Sequence, residues 1–160
     1  MKKLLSIVAL LALCVVTFSA CSDDDEKAPQ VTLHFTYGDA VKVVNTDLYV
    51  VKGDPFSIDA ITCQAVRPNG VAIITGPVNY WLNDVPFGTA FQSPFGITIA
   101  TESMPVGRYQ LTIQMGLAEE GCALGTAVTA LTFNVVEDVD QIPIPAGDDS
   151  QTQPVSYSLR

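Results

Sequence analysis

Around residue 112 apolar and polar side chains alternate: Leu111, Ile113 and Met115 fall on one side, and Gln110, Thr112 and Gln114 on the other. A period of two predicts a strand with one face in a core and the other in water. Short β-branched and aromatic runs of this kind recur at residues 31–37, 41–44, 48–51, 56–63, 72–74, 78–82, 85–88, 95–100, 107–115 and 127–136, and no stretch after residue 30 carries a helical period. Gly53-Asp54-Pro55, Arg67-Pro68-Asn69-Gly70, Asn83-Asp84 and Met104-Pro105-Val106-Gly107 divide the runs with residues that preset φ or tolerate left-handed backbone. Many short strands so spaced predict an all-β chain folded as an antiparallel β-sandwich. In the run 78–82 the alternation sends Val78, Tyr80 and Leu82 inward and Trp81 outward. In the last run, Val128, Leu131, Phe133 and Val135 break the period of two, and a bulge at Thr129-Ala130 would restore it.

The first twenty residues follow a different pattern. Lys2 and Lys3 precede an apolar run over residues 4–18, then Ser19-Ala20-Cys21 and four acids, Asp23 to Glu26. A basic start, a short apolar stretch and small residues at its close predict a secretory signal, too short for a spanning helix. Phe18-Ser19-Ala20-Cys21 resembles the lipobox of bacterial lipoproteins, with Phe18 where that family most often has Leu. The resemblance implies a diacylglyceryl thioether on Cys21, which becomes the first residue of the mature chain. Two or three acyl chains on one cysteine hold stably to outer-membrane lipid. The acidic run is similar to the export tag that carries some Gram-negative lipoproteins to the exterior face of the outer membrane. The alternatives are a plain soluble linker on the periplasmic face and an ordinary Cys21 in a protein cleaved elsewhere. The expected division is a signal over 1–20, an acidic tether over 21–30, the sandwich over 31–136 and a flexible acidic and polar tail over 137–160, in which 155–159 alternates like a strand.

Charge narrows the partners. The formal net charge is −9, from 17 acids against 8 bases, but the acids crowd into Asp23 to Glu26 and the stretch after Val136. Between residues 28 and 136 eight acids face four bases, so no basic patch exists for nucleic acid or an anionic surface. Once Cys14 leaves and Cys21 is acylated, Cys63 and Cys122 remain, and an even pair in an exported domain suggests a disulfide.

Val78-Asn79-Tyr80-Trp81-Leu82-Asn83-Asp84, Phe87-Gly88-Thr89, Ser93-Pro94-Phe95 and Val106-Gly107-Arg108-Tyr109-Gln110-Leu111 resemble the bacterial immunoglobulin-like domains of exported proteins, over residues 48–136. The resemblance implies an immunoglobulin-like sandwich with Tyr109 as a structural tyrosine-corner residue. It implies that run 56–63 is strand B and run 107–115 strand F, in opposite sheets and parallel. Cys63 and Cys122 then lie at one end of the molecule, where a bridge between loops is open. Leu111 stands where the second cysteine of an antibody-type core bridge would be. Two separate buried thiols are the alternative. The loops at that end carry the candidate binding residues Arg67, Asn69, Glu119 and Glu120, and Trp81 on a sheet face is a further candidate, for a sugar or a partner protein, unless another segment covers it.

Catalytic chemistry finds little to work with. His34 is the one histidine, on the polar side of a strand. No nucleophile elbow, phosphate-cradling Gly loop, Cys-x-x-Cys or metal spacing occurs. Neither a cofactor nor a metal is expected. The expected function is a surface-exposed outer-membrane lipoprotein that binds a glycan or a cell-envelope protein. A structural accessory subunit of an outer-membrane assembly is the alternative.

Overall fold

In the computed structural model residues 27–144 are described. Cys21, the acidic run and residues 155–159 lie outside them. Nine strands form: β1 (Val31–Tyr37), β2 (Lys42–Val44), β3 (Asp47–Val51), β4 (Phe56–Ala65), β5 (Ala72–Leu82), β6 (Val85–Ala90), β7 (Ile97–Ile99), β8 (Gly107–Glu119) and β9 (Gly125–Val136). A 3-10 turn, Val139–Gln141, opens the stretch that the sequence reads as tail. Among the described residues no helix is long and apolar enough to cross a membrane.

The strands make two sheets, ordered β1-β4-β7 and β2-β3-β9-β8-β5-β6. Their apolar faces meet in one core that includes Phe35, Ile58, Tyr80, Leu111 and Phe133. With β1, β4 and β7 as strands A, B and E, and β5, β8 and β9 as C, F and G, this is the strand order of an immunoglobulin-like sandwich. The 31–44 segment, outside the span of the sequence resemblance, belongs to it. β1 lies antiparallel to β4 in one sheet, and the β2–β3 hairpin then crosses over so that β3 runs parallel to β9 in the other.

Aromatic rings join the two layers. Phe56 stacks on Phe133 at 4.0 Å between centroids, and Tyr109 stacks on the same Phe133 at 5.5 Å. The Tyr109 hydroxyl donates to the Pro105 carbonyl at 2.7 Å, the geometry of a tyrosine corner. The Tyr80 hydroxyl donates to the Phe95 carbonyl, and burial pushes its pKa up to about 12.

Three local expectations are corrected. Runs 72–74 and 78–82 are one strand, β5: three residues, Gly76 to Val78, oppose a single residue of β8, so pairing resumes beyond the irregularity. The bulge placed at Thr129-Ala130 is absent. β9 pairs with β8 without a shift, because Thr129 turns inward and is buried while Val128 faces out. Phe95 does not start a strand. It adopts φ 59°, a left-handed conformation rare for an aromatic residue, and β7 begins two residues later.

Candidate functional site

At one end of the sandwich the turn after β4 meets the β8–β9 turn. Arg67 Nε donates to Glu119 Oε1 at 3.0 Å, and Arg67 Nη2 donates to the Glu120 carbonyl. Glu119 Oε2 accepts from the Gln30 backbone N–H at 3.0 Å and faces the Cys122 thiol at 3.5 Å. The Glu119 side chain is only 3% exposed although Arg67 keeps 53%. The Gln30 N–H, with help from Cys122 and Arg67, outweighs burial and holds the Glu119 carboxyl below its ordinary 4.5. These residues therefore satisfy one another and clamp the incoming chain: the Val66 N–H donates to the Gln30 carbonyl and the Ala123 N–H to the Lys27 carbonyl. Asn69 is exposed at φ 61°, a conformation that the Arg67–Gly70 turn requires of it, and Glu120 contributes its backbone.

The clamp sets an acid limit. A carboxyl whose pKa falls on folding stabilises the fold above its unfolded value, and the benefit disappears as pH drops through the folded value. Unfolding midpoints measured from pH 7 downward should therefore decline below about 4.5 in the native chain, where Glu119 begins to bind protons in the unfolded state. Glu119→Gln should be less stable at pH 7 and lack that part of the decline. Parallel pH profiles for the two proteins would show that the carboxylate does not clamp the chain.

Cys63 and Cys122 are both free, which corrects the expected disulfide. Cys63 points inward from β4 and packs against the core in the three-stranded sheet, while Cys122 sits in the β8–β9 turn of the other sheet, held toward Glu119. Burial raises the thiol pKa of both, and the neighbouring Glu119 carboxylate raises that of Cys122 further. The expected shared end is right, but the two side chains are aimed at different neighbours.

Trp81 stands elsewhere, on the outer face of the six-stranded sheet near the far end of β5. Strand registers place it in a row, Pro86-Trp81-Thr112-Ala130, with Thr89-Asn79-Gln114-Val128 next to it and Gln110-Thr132 on the other side. None of these side chains is ionisable. A depression of about 280 Å³ lies between β5 and β6, lined by Asn79, Trp81, Pro86, Phe87 and Thr89 among others. Phe87 is the extra residue of a bulge in β6, is 43% exposed and lines the same depression as Trp81. Thr89 Oγ1 donates to Asn79 Oδ1 at 2.9 Å, fixing the amide. The Thr112, Gln110 and Gln114 side chains have no hydrogen-bond partner among the described residues and face solvent with their donors and acceptors free.

Sequence reading singled out Trp81 but not Pro86, Phe87 or Asn79. The signal was present: Asn83-Asp84 is a two-residue turn with φ 47° and 66°, which pairs Leu82 with Val85 and Trp81 with Pro86. His34 faces outward from β1 opposite Thr62. Among the described residues no three His, Cys, Asp or Glu side chains are grouped to hold a metal.

No protein-family profile matches the chain, and no curated protein matches it. Among solved structures it is similar to the fibronectin(III)-like modules of CbhA from Clostridium thermocellum, at 12% identity and a TM-score of 0.35, over 59% of this chain and 92% of that one.

Proposed function

We propose that this protein is a lipid-anchored, non-catalytic binding module displayed on the outer membrane, and that it meets a glycan or a cell-envelope protein on the outer face of its six-stranded sheet. The observation that carries the reading is the uncharged platform around Trp81, two aromatic residues lining one depression beside the unpaired Gln110, Thr112 and Gln114 side chains. A pyranose ring presents an apolar face to an aromatic plane and hydroxyls to amides, and an aromatic ring on a rigid strand loses little freedom on binding. Arg67 and Glu119, engaged with each other, are clamp residues in this reading rather than ligand contacts. The acyl anchor on Cys21 and the exterior location rest on the lipobox resemblance and the acidic run.

The test is a glycan array together with a pull-down from envelope extract, using the native chain and Trp81→Ala. Trp81 is partly buried but lies outside the core, so the variant should keep its fold and lose at least about tenfold in affinity, the effect of removing one central aromatic anchor. Equal capture by both proteins would refute the role of this face. A structural accessory role has one observation in its favour: Val85, which opens the edge strand β6, and Phe91, which follows it, are 65% and 78% exposed, a surface another chain would cover. Stoichiometric co-purification with a membrane complex, unaffected by Trp81→Ala, would select that role.

A further inference from the structure

Four large apolar side chains stand in water at the end of the sandwich where the chain enters: Val66, Val71, Ile73 and Leu124, between 56% and 82% exposed. Backbone pairing gathers them. Val66 bonds the Gln30 carbonyl, Glu120 N–H bonds the Val71 carbonyl, and Ala123, beside Leu124, bonds the Lys27 carbonyl. Ile73 pairs with Ala118 on β8, one residue before the clamp carboxylate Glu119. The four therefore ring the point at which residue 27 joins the domain. Turns and strand ends are where polar residues are ordinarily found, so an apolar rim here is not required by the fold.

The clamp also shortens the tether. Lys27 to Gln30 lie against the domain, so whatever path the chain takes, Cys21 is at most about 20 Å from Lys27, less than the reach of a ten-residue 21–30 spacer. With Cys21 acylated, the rim is bound to stay within about 20 Å of the lipid surface.

We propose that this rim is a seat for a phospholipid surface, with Val71, Ile73 and Leu124 entering the boundary between headgroups and acyl chains. The inference rests on acylation of Cys21. The Arg67–Glu119 pair at this end is mutually neutral, so the seat draws on apolar contact rather than on charge. Apolar side chains exposed together at one edge match the interface between water and lipid. Seating fixes orientation: β5 runs away from the rim, and Trp81 lies opposite Thr112, six positions along β8 from the Ala118 that faces Ile73, so it is held roughly 20 Å farther out. The platform then faces sideways and clear of the lipid.

Tryptophan emission tests this, because Trp81 is the only tryptophan. The full acylated chain is placed on vesicles of phosphatidylethanolamine and phosphatidylglycerol whose acyl chains are brominated near the headgroup. Leu124→Trp in a Trp81→Phe background should lose most of its emission to the bromines, while native Trp81 should be unaffected. Leu124 is 82% exposed in a turn, so the substitution leaves the core untouched, and circular dichroism verifies the fold. The mass of the same sample reports the acyl group. An acylated chain with unquenched Leu124→Trp, or with both positions quenched alike, overturns the seat alone; a chain without acyl groups overturns the anchor reading and the seat with it.

Discussion

Phe133→Ala is expected to destabilise the domain by about 3–5 kcal/mol, the range for removing a fully buried aromatic ring and leaving the space unfilled. The size follows from position. Phe133 is 0% exposed on β9, stacks on Phe56 of the opposite sheet at 4.0 Å and carries Tyr109 on its other side at 5.5 Å. Its loss removes the contact that joins the layers and loosens the ring that secures the tyrosine corner. Backbone pairing of Phe133 with Leu48 and Tyr109 leaves β9 little freedom to close the cavity. Denaturant unfolding should show a lower midpoint with an unchanged slope, since the surface exposed on unfolding is nearly the same. A loss below about 1 kcal/mol, the level of an ordinary surface change, would mean that the two sheets do not pack through this stack.

Gly96→Ala is the second large effect, at about 1–3 kcal/mol, and here the cause is overpacking rather than a void. A β-carbon at Gly96 would lie 2.7 Å from the Ile58 carbonyl oxygen and 2.9 Å from that of Asp59. Both are backbone atoms on β4 where its pairing with β1 shifts register, so no side chain can swing aside. Relief requires β7 to move away from β4, which breaks pairs such as Ile58 with Ile97. Hydrogen exchange should show β7 and the neighbouring part of β4 opening first. Unchanged protection there, with unchanged stability, would contradict the close approach.

Two places show how far the pattern of the chain could be read. In β8 the alternation Leu111, Ile113, Met115 against Gln110, Thr112, Gln114 gave the inward face correctly, because a half-buried strand repeats every two residues whatever it packs against. In β9 the same rule led to a bulge that does not exist: Val128 is apolar yet exposed, and Thr129 is polar yet buried. Hydrophobicity alone could not tell which of the two neighbours faced in. The outward placement of Trp81 was legible from parity within one strand. Its companions were only partly so, since Pro86 follows from the Asn83-Asp84 turn whereas Phe87 reaches the site through a bulge that no alternation announces.

Local chemistry thus carried the all-β class, most strand positions, the turns and the outward tryptophan, because periodicity, φ preference and turn residues act between near neighbours along the chain. Long-range packing settled the rest. Whether Cys63 and Cys122 meet, whether Arg67 seeks a ligand or Glu119, and where Lys27 to Gln30 lie all depend on which groups from distant segments arrive within hydrogen-bond reach. Gln30 and Glu119 are 89 residues apart, and only the closing of two sheets around one core brings that N–H to that carboxylate.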